Sequence, residues 1–240
     1  MIPLRDENPT EIVPFVTVVF LLMNVAAWFL LQGAGAEEAL RSSVVDYGAI
    51  PCQITGECPA EGLRWGSIFS SMFMHGSWEH IIGNMLFLWV FGNNIEDSMG
   101  HLRFIVFYLG CGVAAALAHI YLSPSSSIPA VGASGAISGI MGAYVVLYPK
   151  VRVYTWFPPI FFFNVRAFFL LGYWFFIQLA MGVVTLGPEM GEQGGVAVWA
   201  HVGGFVAGLA LIKLFEKKPL TTAKRNKIRL SRDEVARLEW

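Results

Sequence analysis

Apolar positions gather into six long runs: residues 12–32, 69–92, 104–122, 131–148, 167–186 and 196–214. Each meets or approaches the roughly 20 residues a helix needs to cross the hydrocarbon layer. The second run is interrupted by polar residues in its first half. The sixth lies between Gly194-Gly195 and a lysine cluster at 213–218. The pattern predicts an all-α membrane protein, a bundle of six transmembrane helices over residues 12–216. A short tail, 1–11, precedes the bundle and a basic tail, 217–240, follows it. The first run is expected to be a retained span and not a cleaved leader: Arg5 is a thin positive region, acids surround it, and 12–32 exceeds the usual leader core. There is no repeat, low-complexity tract or soluble domain.

Composition agrees. Apolar residues make up 55% of the chain and charged residues 14%, against roughly 25% charged in soluble domains. Charge then sets the orientation. With an even number of spans both tails share a side, and Lys213, Lys217, Lys218, Lys224, Arg225, Lys227, Arg229, Arg232 and Arg237 fall there, with Arg5, Arg103, Lys150, Arg152 and Arg166. The opposite loops hold only Arg41 and Arg64, against Glu37, Glu38, Asp46, Glu57, Glu61, Glu189 and Glu192. Both termini are therefore expected to be cytoplasmic. The basic tail reads as a topology anchor touching anionic membrane lipid, in preference to nucleic acid.

The one long connection, 33–68, falls on the outer side and carries Cys52 and Cys58 among Pro51, Gly56 and Pro59. On an oxidising face such a pair is a possible disulfide; a metal site is the rival, with too few ligands nearby. Cys111 lies mid-helix and reads as inert packing.

Polar groups inside membrane spans are expensive, which makes them functional candidates. Ser134 sits in Gly132-Ala133-Ser134-Gly135 at the outer start of the fourth span. His201 lies five residues into the sixth, about 7–8 Å down at 1.5 Å per residue. His80 and Asn84, four apart on one helical face, enter the second span from the same side. All four thus share the outer half of the bilayer, at a depth that charge counting did not presuppose. Gly135, Gly139 and Gly142 on the fourth helix, and Gly204 and Gly208 on the sixth, form small-residue faces that let backbones approach closely. A short serine can then reach an imidazole, the minimum apparatus for nucleophilic acyl transfer. Other intramembrane protease chemistries are excluded: no HExxH motif occurs and no aspartate lies in any of the six runs. Glu79, at the margin of its run, reads as a solvated carboxylate. The alternatives from other classes are a catalytically dead escort and a small transporter using His80, Asn84 and Gln178 as a polar path.

These motifs resemble the rhomboid intramembrane serine proteases of the six-helix bacterial kind. The resemblance rests on Arg64-Trp65, His75, His80, Asn84, Gly92 with Glu96 and Gly100, the 132–142 glycine run, and Ala200-His201 with Gly204 and Gly208. It implies a Ser134–His201 dyad without an acidic third member or cofactor, with Gly132, Gly135 and His75 in support. It implies an oxyanion hole from the Ser134 N–H, His80 and Asn84, in a water-filled cavity open to the outside. It further implies transmembrane protein substrates, a bacterial plasma-membrane location, and gating by the fifth helix, whose segment 168–177 is a bulky aromatic wall. Some members carry an aromatic one turn after the nucleophile to stack on the histidine; here that residue is Ser138, which leaves Trp199 or an aromatic from another helix to orient His201.

Overall fold

A computed structural model describes residues 1–60, 62–185, 197–226, 228 and 230–238. Glu61, the predicted end of the fifth run at Leu186, Glu189, Glu192, Gly194-Gly195, the start of the sixth run at Val196, Lys227 and Arg229 lie outside the described residues.

Helices occupy each apolar run. The first is α1 (Phe15–Leu30). The long connection contains α2 (Glu37–Tyr47), α3 (Pro51–Thr55) and α4 (Ser67–Ser70). Then α5 (Trp78–Phe87) passes through a π-helical turn, Leu88–Gly92, into α6 (Asn93–Met99). After Gly100, whose φ of +79° ends that segment, come α7 (His101–Leu122) and α8 (Ser134–Leu147). They are followed by α9 (Ala167–Thr185) and α10 (Val198–Phe215), with α11 (Lys218–Arg225) and α12 (Arg232–Leu238) in the tail. The helices at 101–122, 167–184 and 198–215 are each long and apolar enough to cross a bilayer; α1 and α8 are apolar but shorter. The protein is a helical membrane protein.

Three features depart from the sequence expectation. The second span starts at Trp78, not at residue 69. Before it the chain turns through Ser71–Phe73 and extends at Met74, because its polar groups find partners there. Ser70 Oγ donates to Tyr47 O at 2.7 Å, and Ser77, extended at the helix N-cap, accepts the His80 N–H at 3.2 Å. An N-cap oxygen satisfies one of the orphan donors of a first turn, so a serine here starts the helix.

The same segment runs on past Gly92 and carries two buried acids. Glu96 accepts from the Val16 and Thr17 N–H groups, both at 2.8 Å, from Thr17 Oγ1 at 2.6 Å, and contacts His101 Nδ1 at 2.5 Å. It thereby satisfies the free N–H groups at the start of α1. Asp97 accepts from the Glu11 and Ile12 N–H groups and pairs with Lys224 Nζ of α11 at 2.6 Å. Lys224 also donates to Asn94, and burial holds its pKa below the ordinary lysine value.

The third departure is a three-stranded antiparallel sheet at the end of the bundle opposite Ser134, where a tail and a loop were expected. Strand β1 (Ile2–Asp6) pairs with β2 (Arg152–Phe157), and β2 pairs with β3 (Phe161–Arg166). Tyr144 donates to Asp6 and Asn94 Nδ2 donates to the same carboxylate at 2.8 Å, fastening β1 beneath the bundle.

The core centres on α8, flanked by α7 and α10. The glycine faces meet as the spacing predicts. A Cβ added at Gly204 or Gly208 would fall well inside contact distance of the carbonyl oxygens of Gly135 and Gly139, and one at Gly142 would do so at Phe205 O. The seam is backbone against backbone.

Candidate active site

Ser134 opens α8, and its own carbonyl accepts from Ser138 Oγ at 2.6 Å. Ser138 is fully buried, so the position at which an aromatic was missed serves as a local hydrogen-bond donor. Across the glycine seam His201 sits in the first turn of α10, with Nε2 2.7 Å from Ser134 Oγ. Its other nitrogen, Nδ1, lies 2.7 Å from Gln178 Oε1 on α9. An amide oxygen can only accept, so Nδ1 carries the proton and Nε2 is left as the acceptor for the serine hydroxyl. Trp174, one turn before Gln178, lays its ring against the imidazole at 5.6 Å between centroids. The orienting aromatic is therefore Trp174. Trp199 instead packs against Gly182 of α9.

The other predicted residues converge on the same place. Gly132 has φ of +124°, and a Cβ there would come within 2.7 Å of His80 Nε2 and 3.4 Å of Asn84 Nδ2. Both side-chain nitrogens thus lie under the loop that delivers Ser134. His80 Nδ1 accepts from the Gly76 N–H at 3.4 Å, which leaves Nε2 as the protonated nitrogen facing Gly132. Asn84 Nδ2 is buried and has no hydrogen-bond partner among the described residues. His75 stacks edge-on to His80 with ring centroids 5.1 Å apart. Its backbone is clamped by Gln32, which accepts from its N–H at 2.8 Å and donates to its carbonyl at 2.7 Å. Gly135 lies on the seam beside Ala115 and Ala200.

Ser134, His201, His80 and Asn84 line a cavity of about 570 Å³ with Glu79, His119, Ser126 and Trp174 on its walls. One wall, 126–131, is tied to the long connection. Ala49 and Ala130 exchange both backbone hydrogen bonds, at 3.0 and 2.8 Å, and the Cys52 N–H donates to Ser126 O at 3.0 Å. Cys52 and Cys58 are joined as a disulfide with Cα atoms 5.2 Å apart. Cys111 is buried against Gly139. The sequence did not single out Trp174 or His119, and Gln178 entered only in the alternative reading as a transporter. The spacing of Trp174 and Gln178, four apart on one helix, was the available signal.

The class so defined is a helical membrane protein with a hydrogen-bonded serine–histidine pair opening on a cavity. Comparison with known proteins gives the family. The Rhomboid domain family matches residues 62–218, and the chain belongs to the rhomboid family. Rhomboid protease AarA of Providencia stuartii is 30% identical over 215 residues, covering 82% of this chain and 71% of that protein. Rhomboid protease GluP of Bacillus subtilis is 32% identical over 136 residues, 56% of this chain and 25% of the relative. Rhomboid protein 1, mitochondrial, of Saccharomyces cerevisiae is 30% identical over 98 residues, 39% and 28% of the two chains. The match thus spans only about a quarter of the length of GluP and of the yeast protein.

Proposed function

We propose that this protein is an intramembrane serine endopeptidase that cuts transmembrane segments of other membrane proteins near the face at which Ser134 lies. The observation that carries the reading is the 2.7 Å contact between Ser134 Oγ and His201 Nε2 inside a cavity. His201 takes the hydroxyl proton as Ser134 attacks the substrate carbonyl, and returns it to the leaving amine, giving an acyl-enzyme. Water from the cavity then attacks the ester, its proton passing to His201 and on to the serine oxygen. Charge developing on the carbonyl oxygen is met by His80 Nε2–H, Asn84 Nδ2–H and the Ser134 N–H, the last being free at a helix start. Each such donor contributes roughly 10²–10³ in rate.

A helical substrate hides its amides in hydrogen bonds. Segments with Gly, Ser or Pro near the end of their span are therefore preferred, with a small residue at the cut. The lysine and arginine distribution puts both termini of a six-span bundle in the cytoplasm, so the cavity faces outward from a bacterial plasma membrane. A Cys52–Cys58 disulfide suits that oxidising side.

A fluorophosphonate probe tests the reading. It should label the wild-type chain at Ser134, and Ser134→Ala should abolish both labelling and cleavage of a transmembrane substrate in vesicles. His201→Ala should do nearly the same with the serine still present. Folded wild-type protein that resists labelling and cleaves nothing would refute the dyad.

A further inference from the structure

The β2–β3 hairpin carries an apolar tip that is left largely exposed by the described residues. Ile160 is 71% exposed, and Phe157, Phe161, Phe162 and Phe163 are each 50–54% exposed. Side chains alternate between the faces of a strand. Phe161 and Phe163, stacked at 6.2 Å, therefore lie on one face of the hairpin. Phe162 lies on the other, stacked with Tyr154 at 5.7 Å and Trp156 at 6.4 Å. Apolar groups are thus presented on both faces at once. A protein partner docked on one face would leave the other in water; a surrounding apolar medium covers both.

The base of the hairpin has the opposite character. Arg152 and Arg166 are directly paired across the strands, and Lys150 lies two residues before Arg152 in sequence. Like charges in register destabilise a sheet, unless an anion lies between them. The tip stands about 17 Å from this base, at roughly 3.4 Å per residue. Ala167, the next residue after Arg166, already begins a helix apolar and long enough to cross the bilayer. The arginines therefore sit at headgroup level, and exposed Phe168 and Phe169 continue the apolar surface from hairpin to span. Depth has a limit. β3 is an edge strand, and its unpaired backbone groups are costly in hydrocarbon. Pro158 and Pro159 remove two donors at the tip itself.

We propose that the β2–β3 hairpin is a membrane anchor on the face opposite Ser134. Its aromatic tip lies in the boundary between headgroups and acyl chains, and its paired arginines hold anionic lipid phosphate. The anchor would fix the base of α9, the helix that brings Trp174 and Gln178 to His201.

The test is spin-label accessibility in the full chain, reconstituted in phosphatidylethanolamine/phosphatidylglycerol vesicles. Cys111 is buried and Cys52 and Cys58 are bonded, so the label goes to the introduced thiol. Labels at Ile160→Cys, Phe162→Cys and Phe163→Cys should all collide several-fold more often with oxygen than with a polar nickel chelate. Exposed Asn226→Cys should show the reverse. Replacing phosphatidylglycerol by phosphatidylcholine should lessen the depth at Ile160→Cys, and the added Arg152→Gln/Arg166→Gln pair should remove that lipid dependence. Dominant nickel access at all three tip positions would overturn the anchor. So would an immobilised label that neither collider reaches, which would mark a protein contact. A lipid dependence that survives the arginine changes would overturn the phosphate site.

Discussion

Substituting Gly204 by alanine tests whether the backbone seam sets the catalytic distance. Gly204 lies three residues after His201, and Gly135 directly follows Ser134. An alanine Cβ at 204 would fall well inside contact distance of Gly135 O, and 3.0 Å from its carbonyl carbon. Carbon atoms settle at roughly 3.5–4.0 Å, and the oxygen needs still more room, so α10 must retreat by about 1 Å. The Ser134–His201 contact, 2.7 Å in the intact seam, then lengthens to about 3.7 Å, past the range of a hydrogen bond. A misplacement of 1 Å costs on the order of 10² in rate, while overpacking costs about 1–3 kcal/mol of stability. Gly110→Ala is the control, because a methyl there meets nothing within 4 Å among the described residues. The assay is cleavage of a transmembrane substrate in vesicles, normalised to folded protein by thermal unfolding, with probe labelling of Ser134 on the same samples. Gly204→Ala should lose about two orders of magnitude and Gly110→Ala almost nothing. Cleavage by Gly204→Ala within a few-fold of wild type would refute the claim that the seam sets the distance.

Gln178→Leu should lower kcat roughly 2- to 10-fold, the worth of one neutral hydrogen bond of about 0.5–1.5 kcal/mol, whereas Gln178→Glu should still accept from Nδ1; turnover of the purified variants decides. His80→Ala and Asn84→Ala should each reduce turnover with little change in unfolding temperature, and the double variant should lose less than the product of the two, as expected of groups serving one oxyanion. Alkylation without reductant should leave Cys52 and Cys58 unlabelled. The Cys52→Ser/Cys58→Ser chain should lose about 2 kcal/mol, the loop-closure contribution of so short a ring, read as a lower unfolding temperature.

What the sequence made legible was whatever depends on local chemistry. Serine and histidine among small residues, and glycine at helical spacing, are visible without knowing how helices are arranged, because hydrocarbon tolerates little else there. Legibility ended where a residue's role depends on which way a helix is turned. Gln178 is one polar residue in an apolar helix until α9 is rotated so that it meets His201. The early start of the second run failed for a related reason: apolar Phe69, Met72 and Phe73 outweighed the serines that bend the chain there. The sheet was missed although Arg152-Val153-Tyr154-Thr155-Trp156 can form a strand, because the strand that completes it is far away in sequence: Ile2 pairs with Trp156, 154 residues on (156 − 2). Lys224 was grouped with a basic tail read as touching anionic lipid, yet it is drawn beneath the bundle by Asp97 and Asn94.

The site divides into a rigid half and a half that is held more lightly. Ser134 and His201 are fixed to each other through the glycine seam, where any parting exposes backbone. Trp174 and Gln178 reach His201 from α9, which also presents Tyr173 and Phe176 outward. Among the described residues, α9 is held at the level of the dyad by the Gln178–His201 hydrogen bond and by ring contacts, Trp174 on His201 and Phe175 stacked on Phe205 at 4.5 Å. A neutral hydrogen bond is worth about 0.5–1.5 kcal/mol net, small beside the cost of separating α8 from α10. Widening the cavity by displacing α9 is therefore the less costly motion, and it breaks the Gln178–His201 contact as it does so. Nδ1 then loses the partner that keeps its proton, and with it the preference for the tautomer that can accept from Ser134. On the proposed mechanism, access and activation are therefore linked through Gln178: opening α9 lowers the fraction of the tautomer that can accept from Ser134, and closing it restores that fraction.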